Sequence, residues 1–303
     1  MNNGPVASVV IPFYGDPSDT ISLIKQLKDQ TVYSDIEIIV ADDCSPTRFP
    51  ENSGVTVVYR DENGGFGANV NSGVDIAQGK WLFILNSDLS VQDNFIEEAL
   101  KKAESLGDVL LAPEIIGHDG KSQYVGRRFP TTFHIAWEWL TPLARFKHTN
   151  FWHRMVGHDL RCVTGATVVT DWLMGACMIM QVDTYRKIGG MDERYFMNSE
   201  EVDLQLRLKR AGIQRVFSGD LVVKHAGGAS SGNSIQRRQW VVNSRFKYAK
   251  KWDKLHNLEF SLKIVTYCNY IFNVMRSMRN NVVSPGAIKD QEIGIIMEGV
   301  RNA

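Results

Sequence analysis

Residues 7–43 decide the fold class, and they read ASVVIPFYGDPSDTISLIKQLKDQTVYSDIEIIVADD. Ala7–Ile11 is a short run rich in β-branched residues that ends at Pro12, which predicts a buried strand. A helix is predicted next, because apolar residues recur at helical spacing: Ile21, Ile24 and Leu27. Ile36–Ala41 is a second apolar run. The stretch therefore predicts strand, helix and strand in succession.

The same alternation continues further along the chain. We predict strands at Val55–Tyr59 and Trp81–Leu85 and helices at Phe66–Ala77 and Asn94–Ala103. Strands that alternate with helices indicate an α/β protein with a doubly wound, mostly parallel sheet. The periodicity is poor over residues 111–170, and a helix is predicted to begin near Asn198.

Composition excludes several classes of protein. The chain has 303 residues, 44% of them hydrophobic, so it can form a full core and is neither disordered nor fibrous. Lys plus Arg and Asp plus Glu both number 34, so no overall charge attracts nucleic acid. The N-terminus resembles no secretory signal, and the four cysteines have no metal-binding spacing. We therefore expect reduced thiols and a cytoplasmic location.

Polar residues follow the predicted strands, where parallel sheets bind ligands. Asp42 and Asp43 follow the second strand, Arg60 follows the third, and Asn86, Ser87 and Asp88 follow the fourth. Such carboxylates can bind a nucleoside or hold a divalent cation on a diphosphate. Turns and helix caps are the alternative use of the same residues.

A glycine cluster, Asn63-Gly64-Gly65-Phe66-Gly67, precedes the next predicted helix. Backbone amides at such a helix start can approach a phosphate. The cluster is not a dinucleotide-binding fingerprint, and an ordinary glycine-rich turn is the alternative.

Three carboxylates, Glu200, Glu201 and Asp203, stand at the predicted start of a later helix. Clustering raises the pKa of one of them and suits it to accept a proton from a hydroxyl group. The structural alternative is a capping box between Asn198 and Glu201, with Asp203 paired to Arg207.

His225 follows a strand-like run and precedes a glycine- and serine-rich segment, 226–231. It is either structural or part of a metal site under a closing loop.

Taken in order, these motifs resemble family 2 glycosyltransferases with the GT-A fold, and within them the rhamnosyltransferase-like branch. The resemblance spans residues 7–231. It is carried by Asn63–Gly67, Asn86–Asp88, the stretch Trp172-Leu173-Met174-Gly175-Ala176-Cys177, the acidic helix start and the segment that begins at His225.

The resemblance implies roles for individual residues. Asp43 faces the nucleotide base, Asp88 and His225 bind Mg²⁺ or Mn²⁺, and Glu201 is the general base, with Asp203 as a second candidate. The full nucleotide-binding set is Pro12, Tyr14, Asp42, Asp43, Arg60, Asn63, Gly65, Phe66, Gly67, Asn86 and Ser87. The acceptor-binding set is Trp172, Gly175, Ala176 and Glu200. The chain departs from the family pattern twice, since Glu201 replaces the Asp of a Glu-Asp pair and Asn86 replaces the first Asp of a DxD triplet.

The implied activity is metal-dependent, inverting transfer of a sugar, L-rhamnose from dTDP-rhamnose, to a hydroxyl group of a cell-wall or surface polysaccharide acceptor, either free or lipid-linked. A UDP-sugar donor and an inactive nucleotide- or glycan-binding protein are alternatives. A nucleotidyltransferase is disfavoured, because the loop after the first strand lacks the glycines and arginines that such enzymes use.

The domain limits implied are 1–235 for the GT-A domain, with halves 1–110 and 111–235, and 236–303 for a helical extension. The extension is basic at its start, with seven Lys and Arg residues against one Asp in residues 237–254. An amphipathic stripe follows at Leu258, Leu262, Val265, Cys268, Phe272 and Met275. It predicts either a packed helix at an oligomer interface or a peripheral contact with the inner face of an anionic membrane.

Overall fold

The computed structural model describes residues 4–51, 54–225, 234–253, 255–278 and 284–303. The chain divides into two compact units, one made of residues 1–127 and 161–231 and the other of residues 128–160 and 232–303. Residues 128–160 thus group with the C-terminal helices. The domain limits predicted from the sequence, with a division after residue 235, stay a prediction.

Strands and helices are numbered in chain order. The strands are β1 (Ala7–Phe13), β2 (Ile36–Asp42), β3 (Thr56–Tyr59), β4 (Trp81–Leu85), β5 (Leu89–Ser90), β6 (Val109–Ile116), β7 (Gly126–Arg127), β8 (Thr167–Val169), β9 (Trp172–Leu173), β10 (Cys177–Gln181) and β11 (Gln214–His225). The helices are α1 (Ser18–Lys28), α2 (Phe66–Asp75), α3 (Phe95–Leu106), α4 (Thr132–Trp139), α5 (Asn150–Met155), α6 (Val182–Lys187), α7 (Glu200–Arg210), α8 (Ser234–Trp252), α9 (Leu258–Ser277) and α10 (Pro285–Arg301).

The first unit is built on one large sheet with the strand order β3-β2-β1-β4-β10-β6-β11-β5, and β8 also pairs with β11. Strands β3, β2, β1 and β4 are parallel, as are β6 and β11. Strand β10 runs antiparallel between β4 and β6, and β5 and β8 run antiparallel to β11. The predicted α/β class with a mostly parallel sheet is confirmed.

Strand β6 was not predicted from the sequence. It is buried over most of its length although it contains Pro113 and Glu114, residues that argue against a central strand. The ladder between β6 and β11 is irregular at this point, where the register shifts between Ser218 and Val222. A proline that cannot donate to the ladder is accommodated beside this irregularity.

The sheet brings the sequence motifs to one edge. Because β1, β2 and β4 are parallel, the residues that follow them, including Tyr14, Asp43 and Asn86, leave the sheet on the same side. The short strand β5 pairs with the end of β11 and sets Leu89 opposite His225. Asp88 is thereby carried next to His225.

The second unit is helical and contains α4, α5, α8, α9 and α10. The predicted amphipathic stripe on α9 is only partly its buried face, because Cys268, Phe272 and Met275 are exposed. The residues of α9 that are buried are Leu258, Leu262, Thr266, Asn269 and Asn273. No helix formed by the described residues is long and apolar enough to cross a lipid bilayer.

Candidate active site

Asp43 organises the glycine cluster that precedes α2. Its carboxylate is buried and accepts hydrogen bonds from Gly64 N at 2.9 Å and Gly65 N at 2.8 Å. The Arg60 guanidinium donates to the same carboxylate at 2.9 Å and also to the Ala68 carbonyl oxygen at 3.1 Å. Burial raises the pKa of Asp43, and these donors act in the opposite direction. Asp43 and Arg60 therefore fix the shape of the loop.

Gly65 lies where the chain allows only glycine. Its φ of +85° is in the left-handed region, and a Cβ there would overlap the carbonyl oxygen of Phe196. That oxygen accepts a hydrogen bond from Phe66 N at 3.2 Å. In this structure the N–H groups of Gly64 and Gly65 donate to Asp43, and binding of a phosphate by the cluster stays a prediction.

Asp42 has a structural use in the turn after β2. One carboxylate oxygen accepts from Ser45 N and the other from Phe49 N, both at 2.8 Å. This is the turn role that the composition also allowed. The other predicted nucleotide-binding residues of this region, Pro12 at the end of β1 and the exposed Tyr14, lie at the same edge of the sheet.

Asp88 and His225, the predicted metal ligands, are in contact. Asp88 Oδ1 lies 3.0 Å from His225 Nε2. On the other side of the ring, Nδ1 lies 2.8 Å from Gln123 Oε1, and Gln123 Nε2 donates to the His225 carbonyl oxygen at 3.2 Å. Because Gln123 presents its oxygen to the ring, Nδ1 is the nitrogen that donates to Gln123, and Nε2 faces the Asp88 carboxylate. A neutral ring with its proton on Nδ1 would present the Nε2 lone pair, together with Asp88, to a cation, whereas a doubly protonated ring would donate to Asp88 directly.

The side-chain amide of Asn86 lies beside this pair. Its Nδ2 lies 3.5 Å from His225 Nε2, and its buried Oδ1 has no hydrogen-bond partner. Among the described residues, no three His, Cys, Asp or Glu side chains cluster in a way that could hold a metal. An imidazole nitrogen, a carboxylate and an amide oxygen nevertheless form a donor set that Mn²⁺ and Mg²⁺ accept when a diphosphate provides further oxygens. The residues present thus fit a divalent cation.

Glu200 and Glu201 are buried at the start of α7, and each has one carboxylate oxygen, Oε2, without a hydrogen-bond partner. Burial, followed by the charge of Glu201, raises the pKa of Glu200 well above its ordinary value. Burial also raises the pKa of Glu201, but backbone N–H groups and the positive charge of Arg127 act against that rise. The two adjacent carboxyl groups therefore differ in how readily they ionise.

The backbone before α7 is unusual. Asn198 and Ser199 have φ values of 63° and 76°, and the helix begins without a side-chain cap. The capping box considered between Asn198 and Glu201 is therefore absent. The other structural interpretation is confirmed, because Asp203 is fully buried and pairs with Arg207 Nε at 2.9 Å.

The predicted acceptor residues contact the other motifs. Gly175 packs closely against Glu201, since a Cβ added to Gly175 would lie 3.4 Å from Glu201 Cβ. The Ala176 carbonyl oxygen accepts a hydrogen bond from Asn86 N at 2.9 Å. Trp172 pairs with Arg127 in the β7–β9 ribbon, where the guanidinium lies 5.1 Å from the indole centroid. The glycine cluster also lies close to α7, since a Cβ added to Gly67 would lie 3.4 Å from Glu200 Cβ.

Sequence reasoning missed four residues of this site: Gln123, Arg127, Phe196 and Gln205. Gln205 is fully buried and bonds both backbone groups of Leu173 at 2.7 Å, which holds β9 against α7. Arg127 lies in the stretch of poor periodicity, where the Arg127-Arg128 pair was the one available signal. The remaining three act through contacts that no spacing in the sequence encodes. The segment 226–231 lies outside the described residues.

Comparison with known proteins agrees with this arrangement. The family model described as glycosyl transferase family 2 matches residues 8–162. The O-antigen biosynthesis protein RfbC of Myxococcus xanthus is 26% identical over 244 residues, which are 75% of this chain and 18% of RfbC. The N-acetylglucosaminyl-diphospho-decaprenol L-rhamnosyltransferase of Mycobacterium tuberculosis is 28% identical over 153 residues, or 50% of this chain and 48% of that protein. The rhamnosyltransferase WbbL of Escherichia coli is 23% identical over 65% of this chain and 74% of its own.

Among solved structures, GalNAc-T7, crystallised with UDP, GalNAc and Mn²⁺, aligns with a TM-score of 0.61 at 14% identity. The alignment covers 98% of this chain and 57% of GalNAc-T7, and it shows a shared fold. The chain spans less than half the length of RfbC and of the decaprenol rhamnosyltransferase.

Proposed function

Because the chain belongs to glycosyl transferase family 2, we propose that it transfers a sugar from a nucleoside diphosphate to a hydroxyl group of a glycan, with inversion at the anomeric carbon. The single observation that carries the proposal is the linkage of the Asp88–His225 pair to the buried carboxyl group of Glu201. Asn86, beside the Asp88–His225 pair, bonds Ala176, and the neighbouring Gly175 lies against Glu201. The two proposed cation ligands and the proposed base are thus connected through the adjacent residues Gly175 and Ala176.

Asp88, His225 and Asn86 would hold Mg²⁺ or Mn²⁺. When bound, such an ion neutralises charge on a diphosphate leaving group. Gln123 contributes by keeping the proton on His225 Nδ1, so that Nε2 is free to ligate.

Glu201 is the general base in this proposal, and Glu200 binds the acceptor in its protonated form. The opposing charge of Arg127 favours the ionised form of Glu201, while burial beside Glu201 favours the neutral form of Glu200. Glu201 takes the proton of the acceptor hydroxyl group while the oxygen of that hydroxyl group bonds to the anomeric carbon. The bond from the anomeric carbon to the diphosphate breaks on the opposite face. Asp203 is a weaker candidate, because its carboxylate is already paired with Arg207.

The donor we propose is dTDP-rhamnose, and the acceptor is a cell-wall or surface polysaccharide intermediate carried on a lipid. The support comes from the relatives, two of which are named rhamnosyltransferases, one acting on a diphospho-decaprenol. Asp43, Arg60, Asn63, Gly65, Phe66, Gly67, Asn86 and Ser87 remain the proposed nucleotide-binding residues. A UDP-sugar is the second candidate donor, since the structure of GalNAc-T7 contains UDP.

We also propose that the protein works in the cytoplasm. Cys44 and Cys268 are exposed and form no disulfide. Exposed thiols that remain unpaired agree with a reducing compartment.

A binding panel tests the proposal. The protein is titrated with dTDP, UDP and GDP, each with and without Mn²⁺, while thermal unfolding is followed. A ligand at about 100 times its Kd adds about 2.7 kcal/mol of stability, which raises the Tm by on the order of 4 °C. A Mn²⁺-dependent rise with dTDP, together with release of dTDP from dTDP-rhamnose, is expected. A rise in Tm with UDP alone would indicate a UDP-sugar as the donor. If no nucleotide raises the Tm, the proposed glycosyltransferase function is contradicted.

A further inference from the structure

The charge of the chain is divided unevenly between the two units. Although the whole chain is neutral, residues 128–160 and 232–303 contain 16 Lys and Arg residues against seven Asp and Glu residues, a formal charge of +9. Helix α8 alone contains six Lys and Arg residues and no acidic residue. The helical unit is therefore strongly cationic, and the sheet unit carries the compensating negative charge.

Helix α9 of this unit has its polar side chains inside. Thr266 Oγ1 accepts from Trp139 Nε1 at 2.9 Å, and Asn269 Oδ1 accepts from Thr141 N at 2.9 Å. Asn269 Nδ2 donates to the Trp139 carbonyl oxygen at 3.0 Å and to Glu292 at 3.3 Å. These bonds satisfy the buried polar groups, so the inward orientation of this face is well determined.

The opposite face of α9 is apolar and exposed. Six side chains at helical spacing form it, and each is between 46% and 83% exposed: Phe260, Ile264, Tyr267, Ile271, Met275 and Met278. We call these six residues the outer row. The outer row extends over 19 residues, or about 27 Å for 18 steps of 1.5 Å each, and contains no charged side chain. A contiguous apolar face of this length marks a surface that another apolar phase covers.

We infer that the outer row binds an anionic lipid surface. A helix that presents an apolar face within a cationic unit has the two features that interfacial membrane binding uses, namely burial of apolar side chains and attraction to acidic headgroups. A second copy of the chain is the less suitable occupant, because pairing the outer rows would bring together two units that each carry a charge of +9. The inference does not depend on the sugar donor or on catalysis.

The test is flotation of the full chain with lipid vesicles, without substrate. Vesicles of phosphatidylcholine are compared with vesicles of equal parts phosphatidylcholine and phosphatidylglycerol at low and high salt. The protein is expected to float with the anionic vesicles at low salt and to be released as the salt rises. The substitution Ile271→Glu should weaken the partition by about tenfold or more, because it removes apolar burial and adds a charge that acidic headgroups repel.

A matched control is available in the sheet unit. Ile21 is 48% exposed on α1, and Ile21→Glu makes the same chemical change while leaving vesicle binding as in the unmodified protein. Circular dichroism verifies that both variants are folded. Absence of flotation at low salt, or equal flotation of the unmodified protein and Ile271→Glu, overturns the inference. A dimer in sedimentation velocity that Ile271→Glu dissociates, without vesicle binding, also overturns it and assigns the outer row to a second copy.

Discussion

Replacing Gly65 with alanine should destabilise the protein more than the same change at Gly15. Both glycines have left-handed φ values, +85° and +101°, so an alanine at either position carries a backbone penalty of about 1–3 kcal/mol. Only Gly65 faces an obstacle, since its Cβ would lie 2.7 Å from the Phe196 carbonyl carbon, whereas Gly15 has open space within 4 Å. The difference between the two variants therefore includes the cost of the close approach to Phe196.

The size of the extra loss of stability in Gly65→Ala follows from the hydrogen bonds that the substitution would weaken. An ordinary contact of a Cβ is 3.4 to 4 Å, so the Gly65 loop has to retreat from Phe196. That movement weakens the hydrogen bond from Gly65 N to Asp43 and the one from Phe66 N to the Phe196 oxygen. A bond to a charged group contributes about 1.5–3 kcal/mol and a neutral bond about 0.5–1.5 kcal/mol. Gly65→Ala should thus lose about 2–4 kcal/mol more than Gly15→Ala.

Urea unfolding of both variants measures this difference, and calorimetric titration with dTDP measures its effect on the site. Gly65→Ala should also bind dTDP less tightly, because the displaced loop is the one that Asp43 and Arg60 hold. A difference in the free energy of unfolding below about 1 kcal/mol would refute the reasoning, since it would mean that the loop can move without losing its bonds.

Three further predictions concern the polar groups of the site. Glu201→Gln should lower kcat by about 10²–10⁴-fold and leave the Kd of dTDP unchanged, and near-normal turnover in a transfer assay would exclude Glu201 as the base. Gln123→Leu should weaken Mn²⁺ binding by about 10- to 100-fold, measured by the electron paramagnetic resonance of free Mn²⁺, because His225 loses the partner that fixes its protonated nitrogen. An unchanged Mn²⁺ affinity would contradict that role. The raised pKa of Glu200 means that the contribution of this carboxyl group to stability is full below its ordinary pKa and is lost as the pH rises from there through the raised pKa. Glu200→Gln should flatten this decline when urea unfolding is followed upward from the ordinary pKa of a glutamate, whereas an unaltered slope would contradict the assignment.

Much of the sheet could be predicted because its strands are buried apolar runs. The predicted strand Trp81–Leu85 coincides with β4, and the predicted helix starts agree with α2 and α7 within about two residues. Strand β6 escaped prediction because Pro113 and Glu114 interrupt its apolar pattern. Helix α9 was recognised as a helix, but its orientation was not, since apolar spacing gives the period of a helix and does not tell which face is inside.

Sequence patterns likewise point to some residues of the candidate site and not to others. Asp88, Glu201 and His225 could be predicted because each follows a strand or begins a helix, where chemistry is expected. The bond from Gly65 to Asp43 joins residues 22 positions apart, and the bond from His225 to Gln123 joins residues 102 positions apart. Contacts of this separation depend on the completed fold, and neither Gln123 nor Phe196 belongs to a recognisable motif.

Several features at the first turn of α7 lower the stability of the folded chain. Asn198 and Ser199 hold left-handed backbone conformations that cost about 1–3 kcal/mol each, and no side chain caps the helix. The two carboxyl groups that follow are buried, and each retains an unpartnered oxygen. A turn that served only to start a helix would use a capping side chain and exposed acids, as helix starts generally do. Strain, missing caps and buried carboxyls coincide at the residues where the proposed chemistry needs a base, and this coincidence favours a catalytic use of Glu201 over a structural one.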